Sequence, residues 1–351
     1  MANKLIAHLC GGAGITSGDH IFTTLSGLGE GFAEVHTHYL DTSRANIDKI
    51  EPKGEFWMVK TKTNSKMEIT GSGAERKTHA VDIMANVNEY LDHTQYLKRN
   101  PEEFHVVVFS ASGGTGSVIG PLLIKGLIQK DIPVIAVVIG DSTDSLSTKN
   151  TINTLATLDG VARSCNKPLT YLYVNNKVIM DTNNLNKQQA EVQANKVLTN
   201  MLTTVSLFLS GDNEALDNQD MYGIIDQSHY STINIAPGLY GLSLHSKSIE
   251  LPQDAIPTVA RTLSLPNTEF DINMPLLHHK RGFVTSDNAV EISKKDNFPI
   301  HMLACANYLK SEETMLKNKD KEFEDIMANI SNSNMTGVAK SKLDETTGLV
   351  F

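Results

Sequence analysis

A chain of 351 residues with 40% hydrophobic and 20% charged residues is long enough for two cores. Its net charge of −9 argues against a generic nucleic-acid or anionic-membrane binder, and no apolar run approaches the ~18 residues that would span a bilayer. Cys10, Cys165 and Cys305 are far apart and odd in number, which forms neither a zinc pattern nor a disulfide framework and suits a reducing cytosol.

The opening MANKLIAHLCGGAG reads as a first strand over 4–10 rather than as a leader, because glycines follow the short apolar run at once. GGAG reads as a turn and 15–29 as a helix, despite its interior glycines. Residues 34–41 alternate and read as a second strand, and 42–74 are polar and irregular. Apolar residues return at helical spacing over 76–97. FHVVVFSA (104–111) and IPVIAVVIG (132–140) are near-continuous apolar runs, as strands covered on both faces should be. Helices are expected at 118–130 and 144–163, and a strand at 169–176.

This alternation predicts a doubly wound α/β domain of Rossmann type. The strand ends at Cys10, Asp41, Ala111, Gly140 and Asn175 lead into small or polar loops, on the edge where open α/β sheets bind ligands. Residues 187–210 read as one long helix. The strands YSTINIAP (230–237), FDINMPLLH (270–278) and PIHMLACA (299–306), around a helical stretch near 252–264, predict a smaller α+β second domain. A charged helix at 309–330, most simply a solvated face, runs into a small, polar tail. The chain thus divides into 1–186, the central helix 187–210, the second domain 211–308, and a C-terminal helix and tail over 309–351.

The stretch FSASGGTGSVIGP (109–121) carries the sharpest signal. Gly113, Gly114 and Gly116 lack a Cβ, so their N–H groups can approach another molecule closely. A helix start behind them adds unpaired N–H groups and partial positive charge, which together make an anion site, usually for phosphate. The bland alternative is a tight strand-to-helix turn.

Strand–GGAG–helix, strand–SGGTGS–helix, and a long helix followed by an acidic loop resemble the tubulin/FtsZ superfamily. LCGGAGIT, GSGAERK (71–77), DSTDSLSTKNTINTL (141–155) and the final GLVF resemble its branch from large bacteriophages, the PhuZ type. The resemblance implies a GTPase, with GTP or GDP and Mg²⁺ as cofactors, that assembles with itself head to tail into dynamic filaments. It also implies a role in positioning or segregating phage DNA in the host bacterial cytoplasm, with no direct nucleic-acid or membrane contact.

The resemblance also implies site residues. Gly11, Gly12, Ala13 and Gly14 wrap the phosphates. Asp41, Thr42 and Ser43 lie near the γ-phosphate, where Asp41 holds Mg²⁺ or else caps a helix. Gly71, Ser72 and Gly73 sense the γ-phosphate or form a plain surface loop. Gly113, Gly114, Thr115, Gly116 and Ser117 surround the α- and β-phosphates, and Asp141 and Asp144 meet the ribose. Asn175 reads guanine or ribose, although an Asn after a strand is often a turn residue. The family's base-stacking aromatic is missing from the long helix, which offers Gln189, Gln193 and Asn195 instead. Asp217 and Asp220 match the acidic pair that enters the next subunit's site and orients the attacking water. Their other reading is a cap and first-turn acid of the helix that follows. The tail is expected to dock on the adjacent subunit, mainly through Leu349, Val350 and Phe351, with Asp344 and Glu345 setting register.

Two other functions compete. GGAG after one strand and Asp41 ending the next imitate an NAD(P)-dependent oxidoreductase, but Gly12, Gly14 and Gly18 give G-x-G-x-x-x-G, one residue too long, and a second glycine loop is then unexplained. A non-catalytic filament scaffold would keep the fold and lose turnover. His36 and His38 share a strand face, and satisfied strand histidines are the simpler reading than a metal pair. His278 to Arg281 reads as a surface turn or contact patch.

Overall fold

The computed structural model describes residues 3–61, 80–210, 213–229, 235–246, 248–265, 268, 272–295 and 300–335. Its first half alternates strand and helix. β1 (Lys4–Cys10), α1 (Gly11–Ser26), β2 (Glu34–Asp41) and β3 (Glu55–Met58) lead to α2 (Ala80–Thr94), β4 (Glu103–Ser110), α3 (Gly116–Ile128), β5 (Val134–Gly140), α4 (Ser145–Ser164) and β6 (Pro168–Asn175). After α5 (Asn176–Asn183) and α6 (Lys187–Leu209) come β7 (Asn213–Glu214), α7 (Asn218–Ile225), β8 (Gly238–His245) and β9 (Ile256–Ser264). β10 (His278–Val284), α8 (Asp287–Ser293), β11 (His301–Ala306) and α9 (Lys310–Met335) complete the described order.

One sheet runs β3-β2-β1-β4-β5-β6-β8-β11-β9-β10-β7. Strands β3 to β6 are parallel, and β8 joins β6 in parallel through Pro168–Tyr171 against Gly238–Gly241. β11 then runs antiparallel between β8 and β9. The apolar runs are continuous because both sheet faces are covered. In β4, Phe104, Val106 and Val108 enter a core beneath α1 and α6, while Val107 and Phe109 enter the opposite one with α2 and α3. Burying one such large side chain is worth about 1.5–3 kcal/mol.

α6 opens with a capping box in which Asn186 accepts from Gln189 N and Gln189 reaches back to Asn186 N. It buries Ala190, Ala194, Leu198 and Leu202 at four-residue spacing, and then every residue from Leu202 to Leu209. Twenty-three residues make it about 34 Å long.

Several expected elements differ. The stretch near 252–264 is not a helix: Ile256–Ser264 is strand β9, between β11 and β10. Burial on both faces removes the period-two pattern, and only the β-branched residues Ile256, Thr258, Val259 and Thr262 signal a strand. In FDINMPLLH, 272–277 are not a strand, and pairing begins at His278 and continues through the supposed surface turn to Val284. YSTINIAP is no strand in its described part, 235–237. The irregular 42–74 contains β3, an edge strand whose Phe56 and Trp57 pair with Tyr39 and Leu40. GGAG is the first turn of α1 rather than a separate turn.

Candidate active site

Strand order reverses beside β1: the chain moves outward through β2 and β3, then returns to place β4 on the other side of β1. Such a switch point opens a crevice at the strand C-terminal ends. The loops that leave β1 and β4 meet there backbone to backbone. Gly11 has φ +70°, and a Cβ on it would stand 2.6 Å from Gly116 N. A Cβ on Gly116 would stand 2.7 Å from Cys10 O. No side chain fits between these loops without moving the backbone.

The crevice encloses a cavity of about 480 Å³. Gly11, Gly12 and Ala13 line one wall, Ser112 to Gly116 another, and Asp41, Ser43 and Asn46 a third. α1 and α3 both begin here with no side-chain cap and no acid in the first turn. Their open N–H groups and dipoles suit an anion. A groove of about 490 Å³ between α4, β8 and α9 is as large but carries no glycine-rich loop.

The side chains around the crevice are tied to one another. Asp41 is buried and accepts from Thr42 N at 2.7 Å and Asn46 Nδ2 at 3.2 Å. Burial raises its carboxyl above the usual range, and those hydrogen bonds hold it back. The Thr42 and Thr115 hydroxyls meet at 3.1 Å and join the second loop to the glycine loop. Ser117 is buried and donates to Gly114 O, which braces that loop from behind. Gly14 lies in the same turn of α1, packed on Val108 of β4.

Asp141 lines the cavity, and its carboxylate accepts from Thr143 N at 2.9 Å. Asp144 instead caps α4 by accepting from Ser147 N and Oγ, and the Ser147 N–H holds its carboxyl below the usual range. Asn175 is likewise spent on structure, because its Oδ1 accepts from Lys177 N and Val178 N at the start of α5. Neither is among the lining residues. Asn176 is, with Oδ1 buried and lacking a hydrogen-bond partner.

On α6, Gln189 belongs to the capping box, and neither it nor Gln193 lines the cavity. Lys187 and Glu191 do, one turn apart. Sequence reasoning missed this pair and Asn176. Lys187 and Glu191 share an i, i+4 face just as Gln189 and Gln193 do, and the buried stripe Ala190, Ala194, Leu198 and Leu202 decides which of the two faces lines the cavity. Gly71, Ser72 and Gly73 lie outside the described residues. Among those described, no group of three His, Cys, Asp or Glu forms a metal site, and no helix is long and apolar enough to cross a membrane.

Asp217 and Asp220 form the capping box of α7, each side chain accepting from the other's backbone N–H. Asp217 is exposed and Asp220 buried. α7 is anchored where Asn218 reaches Asn3 and Pro101 O, and Tyr222 donates to Asn100 O. These partners sit at the N-terminal ends of β1 and β4, whereas the cavity sits at their C-terminal ends. The acids and the cavity therefore occupy opposite edges of one sheet, with about 34 Å of α6 running between them.

The sequence model of the Tubulin/FtsZ family, GTPase domain, matches residues 4–184. A phage tubulin-like protein of Pseudomonas phage phiKZ is 26% identical over 223 residues, 62% of this chain and 61% of that protein. The phage tubulin-like protein of Pseudomonas phage 201phi2-1 is 23% identical over 320 residues, 89% of each chain. A protofilament of TubZ from bacteriophage PhiKZ superposes with TM-score 0.73 at 20% identity over all of both chains. The phage tubulin PhuZ bound to GDP superposes with TM-score 0.71 at 18% identity over 99% of each. With glycine loops, switch point and family match in agreement, the nicotinamide-enzyme reading lapses, and the chain belongs to the tubulin/FtsZ family.

Proposed function

We propose that this chain is a GTP-hydrolysing subunit of a head-to-tail homopolymer, with each active site completed by its neighbour. The separation of Asp217 and Asp220 from the cavity carries the reading. A chain that cannot bring its acids to its own cavity can offer them to the next copy, stacked edge to edge. Residues 1–186 then hold nucleotide, 187–210 bridge the two edges, and 211–308 with the C-terminal segment meet the neighbours.

The residues present fit the ligand. The uncapped starts of α1 and α3 would hold the phosphates through backbone N–H groups. Asp41 would hold Mg²⁺ together with phosphate oxygens, the usual arrangement for an ion that binds one or two carboxylates. Guanine presents N–H donors on its pairing edge where adenine presents an acceptor. Glu191 brings a carboxylate acceptor to the cavity wall, Lys187 supplies a cation beside it, and Asn176 lines the same wall with a buried Oδ1 that lacks a hydrogen-bond partner. An acid from the neighbouring α7 would orient the attacking water and take up its proton.

The tail, outside the described residues, would dock on the adjacent subunit through Leu349, Val350 and Phe351. Filaments of this kind would position phage DNA in the host cytoplasm. Phosphate release measured with light scattering, from dilute to concentrated protein, tests the central claim. Turnover per subunit should rise with concentration and track assembly. A flat dependence removes the shared site, and assembly without hydrolysis supports the scaffold reading instead.

A further inference from the structure

Glu312 lies in the first turn of α9, half-buried against the end of β6. Its Oε1 accepts from Asn175 Nδ2 at 2.6 Å and from the Tyr173 hydroxyl at 3.2 Å. The other half of the Asn175 amide, Oδ1, accepts from Lys177 N at 2.9 Å and Val178 N at 3.4 Å. Asn175 is therefore gripped from both ends, by α9 and by the start of α5. The next residue, Asn176, lines the cavity, and its buried Oδ1 has no hydrogen-bond partner.

The grip reaches a second wall. Asn175 registers with Gly140, the residue before Asp141 of the cavity. A Cβ at Gly140 would stand 2.4 Å from the Tyr173 hydroxyl, so this hydroxyl occupies the space that a side chain would need. Tyr173, Asn175 and Glu312 thus form one hydrogen-bonded set behind two cavity loops, and α9 contributes the only carboxylate in it. Burial raises the Glu312 carboxyl above the usual range, while Asn175 and Tyr173 pull it down. α9 is otherwise held by few apolar anchors, Leu316 being fully buried and Met315 packed beside it, and much of the helix beyond is exposed.

We propose that Glu312 is a positioning residue for nucleotide: by holding Asn175 it sets the start of α5 and the place of Asn176 in the cavity, and it thereby couples nucleotide occupancy to the docking of the C-terminal helix. The inference rests on the nucleotide-site reading above. Coupling between two sites is reciprocal. If α9 supports bound nucleotide, nucleotide must stabilise α9.

Calorimetric titration of GDP into wild type, Glu312→Gln and Glu312→Ala tests one direction. Hydrogen exchange of 310–320 with and without GDP tests the other. The amide oxygen of Gln can still accept from Asn175, so Glu312→Gln should bind within about threefold of wild type, while Glu312→Ala should lose about tenfold. GDP should slow exchange in 310–320 of wild type, and in Glu312→Ala only around 111–116. Unchanged affinity in Glu312→Ala overturns the inference, as does wild-type exchange in α9 that ignores GDP; the latter needs no variant to fold. Wild type that binds no GDP would overturn the nucleotide reading itself, and this inference with it.

Discussion

The Lys280 ammonium stands 2.6 Å from Asp220 Oδ2, tying β10 to the first turn of α7. Arg261, fully buried in β9, donates Nε to Asp220 O at 3.0 Å. Burial works against the Asp220 charge, but the Lys280 hydrogen bond and the Asp217 N–H hold the carboxyl below the usual range. Asp220 is thus an ionised, fixed acid, and Asp217 beside it is exposed.

The cavity lies at the other sheet edge, so the acids and nucleotide binding should separate cleanly. Asp217→Ala and Asp220→Ala should each bind GTP within about twofold of wild type and still assemble. Turnover should fall about 100-fold or more where the acid handles the water. Phosphate release and light scattering on the same samples check this, with over-stable filaments expected. Asp220→Ala should also lower thermal stability, because Lys280 loses its carboxylate partner and buried Arg261 loses a nearby negative charge, although its hydrogen bond to the backbone O of residue 220 stays. Normal turnover in both variants would take the role from this loop.

Gly116→Ala should abolish nucleotide binding without touching any side chain. Its Cβ would meet Cys10 O at 2.7 Å and push apart the loops that leave β1 and β4. Overpacking of this kind costs about 1–3 kcal/mol. A thermal melt and a GDP titration read the two effects, and a variant that binds GDP normally would show that the loops need not touch.

Base choice should rest on Asn176 and Glu191 rather than on Gln189 and Gln193. Glu191→Ala should lower the preference for GTP over ATP by at least about tenfold, an unpaired base donor costing about 1–3 kcal/mol. Gln189→Ala should lose helix-cap stability and keep the preference. Competition titrations with both nucleotides separate these, and the reverse pattern would return the role to the residues first expected from the helix pattern.

Acid should unfold the protein through its buried histidines. His8 Nε2 and His105 Nδ1 meet at 2.9 Å, with His38, Tyr90 and Tyr96 around them and Glu55 4.0 Å from His38. Burial, then His105 and His38, holds His8 well below the usual range, and burial, then His38, pushes His105 down to about 3. Folded, these rings bind fewer protons than unfolded. Their contribution is complete above about pH 6.5 and is lost progressively as pH falls toward the folded values. Each costs up to about 1.4 kcal/mol per pH unit in that window. Asp41 and Glu312, with raised carboxyls, work in the opposite sense at lower pH. Denaturant midpoints at pH 7.5, 6 and 5 should fall in order, with a shallower slope in His105→Asn. An equal slope in that variant would place the acid sensitivity elsewhere.

Deleting 346–351, outside the described residues, should raise the critical concentration for assembly sharply. Asp344→Asn with Glu345→Gln should raise it slightly, since exposed ion pairs contribute roughly 0–1 kcal/mol. Sedimentation across a concentration series reads both. A deletion that assembles like wild type ends the tail-docking idea.

Local chemistry alone determined much of this protein. The apolar runs of β4 and β5 had to be strands covered on both faces, and the glycines after β1 and β4 had to bring backbone close to backbone, because both follow from what each segment can do with its own backbone and side chains. The spacing of Asp217 and Asp220 likewise marked a cap and an acidic pair. Tertiary structure decided what depends on partners distant in the chain. β9 is a strand because β11 and β10 flank it, although its own pattern had lost the period of two. Asn175 yields the cavity to Asn176 because Glu312, 137 residues away, takes its amide. Lys187 and Glu191 face the cavity because the burial of Ala190, Ala194, Leu198 and Leu202 fixes which side of α6 meets the core. The acids stand apart from the cavity because α6 runs from one sheet edge to the other, a distance that neither end of the helix encodes.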